Sequence, residues 1–229
     1  MSEFEPSSPL PPVAGVVDRR RFLPRVAAGK RVVHLGCVDE HLTESRFGTG
    51  ALLHEQLMHN AKELVGVDIS ASGLQLLREL LPGNYVEGDV HRLNALELPE
   101  SCDLVLAPEI IEHLEAPGVF LDELRRYLVR SGATAIITTP NSYSWTHNVR
   151  FALRRREWVH PDHRVVYSPR TLLRSLELAD LRCTNLYVHA WKRERRGLRG
   201  LLGLVDRGIL AWNPLLGIGL VAEVDAAPS

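Results

Sequence analysis

Four short stretches of this chain end in residues suited to holding a ligand: "VVHLGC" (32–37), "LVGVDIS" (64–70), "YVEGDV" (85–90) and "APEIIEHL" (107–114). The first supplies Gly36, where the missing side chain lets a ligand come close to the backbone. The second ends at Asp68, whose carboxylate can accept hydrogen bonds from both hydroxyls of a ribose. The third presents Asp89, able to accept from an exocyclic amine, next to Val90, whose backbone N–H can serve a ring nitrogen. The fourth delivers Glu109, Glu112 and His113, two carboxylates and an imidazole that titrates in the range a general base needs. Taken singly, an acid in such a position reads equally as a helix cap or a solvated turn. Four such stretches in succession, each closing an apolar run, call for a common explanation.

The elements that must position these residues follow from the periodicity. Strands are expected at 31–35, 63–68, 84–89, 102–108, 134–140, 181–191 and 217–225, several of them apolar at consecutive positions as in strands covered on both faces. Helical patterns lie between them. Leu53, Leu57 and Ala61 form one stripe, Phe120, Leu124 and Leu128 another, and "SPRTLLRSLELA" opens on a serine cap with proline at the first helical position. The alternation predicts an α/β doubly wound sheet, mostly parallel, with an antiparallel last strand. Residues 1–29 are expected to form an N-terminal tail with a lead-in helix or loop, and 30–229 a single domain. Segments at about 141–167 and 192–215 would cover the substrate. In open α/β sheets ligands sit outside the carboxyl ends of the strands, where the four stretches end.

Composition narrows the classes. The 229 residues carry a net charge of −1, which supplies no global attraction to nucleic acid or to anionic membranes. Cys37, Cys102 and Cys183 are far apart and form no C-x-x-C pair, which argues against a disulfide framework and fits a reducing, cytoplasmic setting. The N-terminus "MSEFEPSSPLPPVAG" lacks the basic start and apolar core of a signal peptide, and no apolar run reaches the roughly 18 residues that a membrane span needs.

In the order and spacing of "VVHLGC", "LVGVDIS", "YVEGDV", "CDLVLAPEIIEHLEAPGVFLDELRRYL" and "GATAIITTPN", the sequence resembles the class I S-adenosylmethionine-dependent methyltransferases. It is most similar to the small-molecule type that carries Glu-His after the fourth strand. The resemblance covers roughly residues 30–190 and implies a Rossmann-like fold with S-adenosylmethionine as cofactor. It implies that Gly36, Cys37, Val38 and Asp39 pass beneath the methionine part, and that Asp68 binds the ribose with Ile69 against the adenine. Asp89 and Val90 would read the adenine edge. Ala107, Pro108 and Glu109 would line the methionine side, with His113 as catalytic base and Glu112 as its orienter or substitute.

Two departures from that family stand out. His34 occupies a position that is usually acidic; a neutral imidazole can accept a hydrogen bond there but brings no negative charge, for which Asp39 or Glu40 is a candidate replacement. The spacing from Gly36 to Asp68 also exceeds the roughly 20 residues of a tight unit by about a dozen. The extra residues end in Gly48-Thr49-Gly50, which reads as a turn closing an insertion, and Val38 to Phe47 is either a lid over the cofactor or a surface excursion. A cofactor without phosphate does not need the G-x-G-x-x-G anion cradle, whose absence argues against an NAD-linked oxidoreductase. The other rival readings are a catalytically inactive methyltransferase-like binding or scaffolding protein, motivated by His34, and an N-methyltransferase.

The acceptor is expected to be a small molecule, a saccharide or secondary metabolite methylated on oxygen. Asn141, Tyr143, Trp145, His160 and His163 are its candidate contacts, with Phe151 and Trp158 as further aromatic wall. His160 and His163 flank Asp162 in a proline-containing loop, which is not a zinc signature, so no metal is expected. The basic amphipathic stretch 192–212 is compatible with peripheral membrane contact, but a helix covering the last strands is the preferred reading. Oligomeric state has no signature in the sequence.

Overall fold

The computed structural model describes residues 11–39, 42–157, 159–190 and 197–227, with backbone alone for 197–202. In chain order the elements are β1 (Gly15–Val17), α1 (Arg19–Ala27), β2 (Arg31–Leu35), α2 (Thr43–Arg46), α3 (Leu53–Asn60), β3 (Glu63–Asp68), α4 (Ala71–Leu80) and β4 (Asn84–Glu87). They continue with β5 (Leu104–Pro108), α5 (Pro117–Ser131), β6 (Thr134–Pro140), α6 (Trp145–Arg154), α7 (Pro169–Leu178), β7 (Leu181–His189), α8 (Gly197–Trp212) and β8 (Gly219–Ala226). The eight strands form one sheet in the order β1-β7-β8-β6-β5-β2-β3-β4. Every pairing is parallel except those of β8, which runs antiparallel to both β6 and β7. This is the mostly parallel, doubly wound sheet with an antiparallel last strand that the sequence predicts.

Helices cover both faces, so the strands carry apolar residues on both. Val33, Leu35, Val105, Ala107 and Ile137 face the layer built by α5 and α7, where Phe120, Leu124, Tyr127, Leu172 and Leu176 are buried. Val32, Leu104, Leu106 and Ile136 point the other way, toward Phe22 and Leu23 of α1 and Leu57 of α3. Each fully buried side chain of this size contributes about 2 kcal/mol by leaving water. The helix ends are set locally. Ser70 caps α4 by accepting from Gly73 N, Ser168 and Thr171 form a reciprocal capping box on α7, and Gly132 ends α5 at φ 71°.

The segment expected to be a tail and lead-in contributes an edge strand, β1, paired parallel with β7, followed by α1. A three-residue strand, "GVV", is too short to register as a periodic signal. The chain runs outward from β2 through β3 to β4, then returns to β5 on the other side of β2. That reversal between β2 and β5 is where an open sheet leaves a crevice for ligands. The extra residues after Gly36 are a tied-off excursion. Asp39 N donates to Thr43 Oγ1 at 3.1 Å, Arg46 pairs with Asp39 at 2.6 Å, and Gly48 and Gly50 both adopt φ 70° before α3.

Candidate active site

At the end of β2, Gly36 has φ 68°, and a Cβ there would collide with Ile110. A side chain is therefore excluded on steric and conformational grounds. The neighbouring Cys37 is buried with its thiol in the core, its pKa pushed up by burial, so only its backbone can face a ligand. Val38 packs where a side chain on Gly73 would stand, and its N–H donates to Asp68 Oδ2 at 2.9 Å. Asp68 Oδ1 accepts from Ser70 N at 3.0 Å. The carboxylate that ends β3 thus fastens the loop after β2 to the start of α4, and Ile69 beside it is 70% exposed. Asp89 begins a short 3-10 turn over Val90–Ala95, accepting from His91 N at 2.9 Å and contacting His91 Nδ1 at 2.7 Å. Burial alone would raise its pKa, but the two bonds from His91 hold it below the usual carboxylate range.

The β5 end is the most perturbed part of the structure. Ala107 is buried, Pro108 closes the strand, and Glu109 adopts φ 54°, a left-handed conformation costly for a residue with a Cβ. Its Oε1 is held by Arg19 Nη1 at 2.6 Å and by the Thr138 hydroxyl at 2.9 Å. Glu112 is buried, and neither carboxyl oxygen has a hydrogen-bond partner among the described residues. Burial first, and the Glu109 carboxylate second, push its pKa up to about 8.

His113 completes the short turn Ile111–His113 and lies half-buried. Its ring centroid stands 4.6 Å from that of His163 and 5.9 Å from that of His160, while the latter two are 5.7 Å apart. One nitrogen from each ring lies within 4.8 Å of the others. Burial and the two neighbouring imidazoles push the His163 pKa down. The sequence separates His113 from the other two and predicts no metal-ligating group, whereas the structure assembles three imidazoles.

Other candidates fare differently. Asn141 is buried, its Nδ2 donates to Leu215 O and Gly217 O at 2.7 Å each, and its Oδ1 accepts from Tyr143 N. The polar atoms are spent on joining the end of β6 to the turn before β8. Trp145 Nε1 donates to Asp206 Oδ1 at 2.9 Å, tying α6 to α8. Tyr143 and Phe151 are exposed at 52% and 55%. Asp39 is engaged by Arg46, so its charge is not at the disposal of the position held by His34. Glu40, Trp158 and residues 192–196 of the basic stretch lie outside the described residues. Over 197–212 that stretch is helix α8, with Leu210 and Asp206 buried and Trp212 exposed.

Sequence reasoning missed Arg19, Thr138 and His54. His34 Nδ1 meets His54 Nδ1 at 3.1 Å in the core, with the rings stacked at 5.4 Å. Burial drives the His34 pKa well below its ordinary value and that of His54 down to about 4. A neutral imidazole pair therefore stands in the core at His34.

A family model described as a methyltransferase domain matches residues 46–136. A ubiquinone biosynthesis O-methyltransferase of Burkholderia orbicola (strain MC0-3) is 31% identical over 145 residues, covering 61% of this chain and 56% of that protein. The chain thus spans about half the length of the curated relatives it matches. Among solved structures, a SAM dependent methyltransferase from Archaeoglobus fulgidus superposes with a TM-score of 0.53 at 20% identity, covering 89% of this chain and 90% of that one. The [4+2]-cyclase SpnF superposes with a TM-score of 0.55 at 16% identity, covering 93% and 81%. Likeness at these identities establishes the fold rather than the reaction. Residues 46–136 are thus similar to a methyltransferase domain, and the chain has the fold of the class I, S-adenosylmethionine-dependent methyltransferases.

Proposed function

We propose that this chain transfers the methyl group of S-adenosylmethionine to a hydroxyl oxygen of a small-molecule acceptor, with His113 and Glu112 at the transfer end. One observation carries the reading. Gly36, Asp68 and the Glu109–His113 turn stand at the carboxyl ends of three adjacent strands, β2, β3 and β5, astride the reversal of strand order. The residues fit the cofactor: a side-chain-free backbone turn at Gly36, a carboxylate at Asp68, and an apolar Ile69 left 70% exposed beside it, where an adenine ring would cover it.

The bound cofactor supplies a methyl group already activated on a sulfonium sulfur. What remains for the protein is alignment, exclusion of water and removal of a proton from the acceptor. His113, half-buried at the rim, accepts the hydroxyl proton in this reading. Glu112, buried next to it in the chain, takes up or releases a proton near neutral pH. The relatives' names as O-methyltransferases favour oxygen over nitrogen as the acceptor atom.

Titration calorimetry with S-adenosylmethionine and with its demethylated product tests the cofactor assignment. Saturable binding of both is expected. Asp68→Ala should weaken it by tenfold or more, the scale of a lost charge-assisted hydrogen bond of about 1.5–3 kcal/mol. Absence of binding by the wild-type protein would reject the enzyme reading in favour of a scaffolding role, and undiminished binding by the variant would reject the ribose assignment.

A further inference from the structure

We propose that His113, His160 and His163 bind one divalent transition-metal ion of zinc-like preference beside the methyl-transfer site. The three rings come from two segments far apart in sequence, yet one nitrogen of each lies within 4.8 Å of the other two. No hydrogen bond among the described residues engages the ring nitrogens of His113 or His163. His160 Nδ1 accepts from Asp162 N at 3.4 Å and has Asp162 Oδ2 at 3.5 Å, so an ion on Nε2 would select the tautomer whose Nδ1–H faces that carboxylate.

The backbone holds the two segments together. Arg164 N and Val165 N both donate to Glu112 O, at 2.8 and 3.2 Å, and His163 N donates to His160 O at 3.0 Å. The loop bearing His160 and His163 is thereby fastened to the turn bearing His113. Nitrogens bound to one zinc ion at 2.0–2.1 Å in tetrahedral geometry stand about 3.3 Å apart. Contraction by about 1.5 Å from the outer limit of this cluster, within reach of side-chain rotation, would close the site. His160 is exposed and the other two are half-buried, so an ion can enter from solvent.

The donor set selects the metal. Three neutral imidazoles favour zinc, cobalt, nickel or copper over magnesium and calcium, which require oxygen ligands. Three protein ligands also leave a fourth position open, as in catalytic rather than structural zinc sites. The functional consequence rests on the methyltransferase reading and alters only its base. With the ion in place the His113 lone pair is engaged. The acceptor hydroxyl would then bind at the open position; its O–H bond breaks with the proton passing to water, and the oxygen bonds the methyl carbon as the methyl–sulfur bond breaks and S-adenosylhomocysteine leaves.

The experiment uses the full chain, freed of any affinity tag and stripped by chelator. It is titrated with Zn2+ by calorimetry and with Co2+ by visible absorption. One ion per chain is expected, with a Co2+ spectrum of nitrogen ligation and no competition from Mg2+ at equal concentration. His113→Ala, His160→Ala and His163→Ala should each weaken binding by tenfold or more at an unchanged urea midpoint, while His59→Ala, exposed on α3, should leave it intact. Absence of saturable binding, binding undiminished by the three substitutions, or preference for Mg2+ would overturn the proposal. If a substitution unfolds the chain, histidine-selective broadening of imidazole NMR signals by substoichiometric Co2+ on the wild type decides in its place. Calorimetry of the same stripped protein with S-adenosylhomocysteine separates the two readings. Nucleoside binding without metal binding removes the ion alone, and metal binding without nucleoside binding removes the methyltransferase reading alone.

Discussion

The buried His34–His54 pair makes stability depend on pH with a definite sign. In the unfolded chain each imidazole has its ordinary pKa near 6.5. In the folded chain burial holds His34 well below that value and brings His54 to about 4. Between these limits the unfolded state binds more protons than the native state, so stability falls as pH falls. The full contribution is present above pH 6.5 and is lost on acidification toward 4. For His54, linkage between 6.5 and about 4 removes about 2 kcal/mol on going from pH 7 to pH 5. His34 is shifted in the same direction and adds to this loss, which is set against the 5–15 kcal/mol of a typical domain. The assay is urea unfolding at pH 5, 6 and 7 of the wild type and of a His34→Asn/His54→Asn double variant, whose amides can bond to each other but do not titrate. Whatever its absolute stability, the variant should lose at least about 2 kcal/mol less than the wild type over that range. Subtracting the two curves cancels the other histidines whose pKa burial lowers, His147, His163 and His189. Identical pH slopes would show that the pair is not held neutral in the core, and would refute the reasoning.

Glu112→Gln should stabilise the fold increasingly as pH rises from the ordinary carboxyl range toward 8, because a buried, unpartnered carboxyl resists ionisation only in the native state; denaturation at pH 5 and 8 reads the difference. The same variant should lose methyl transfer, which would mark the strain as functional rather than incidental. Asn141→Ala leaves the Leu215 and Gly217 carbonyls without their donor and should cost about 2–4 kcal/mol in unfolding free energy, with the KM for acceptor unchanged in the folded fraction.

Much of the sheet was legible because strands covered on both faces read as continuous apolar runs with polar or glycine boundaries. "RVVHL", "ELVGVD" and "TAIITTP" match β2, β3 and β6 at both ends. The short edge strand β1 was not, since three residues carry no period. His54 was hidden for a related reason. The stripe Leu53, Leu57 and Ala61 places α3 against the sheet correctly, but treats the histidine between them as a solvent residue. Burial of an imidazole is decided by a partner across the interface, and His34 lies on another element. Arg19 and the joining of His113 to His160 and His163 are tertiary facts of the same kind: nothing in "DRRRF" or "HPDHR" indicates which strand end it will meet.

These contacts redistribute charge around the proposed cofactor groove. His34 forms a neutral pair with His54, Asp39 is neutralised by Arg46, and Glu109 by Arg19. Glu112, held near its protonated form at neutral pH, adds little negative charge. Asp68 fixes the loop through Val38 N and Ser70 N. A phosphate-free cofactor tolerates this economy, because its recognition needs a close backbone and a hydroxyl-binding carboxylate rather than a helix N-terminus. The long excursion after Gly36 is compatible with binding for the same reason: its Gly48 and Gly50 turns close an insertion, while the backbone at Gly36 and Val38 is fixed by Val67 and Asp68.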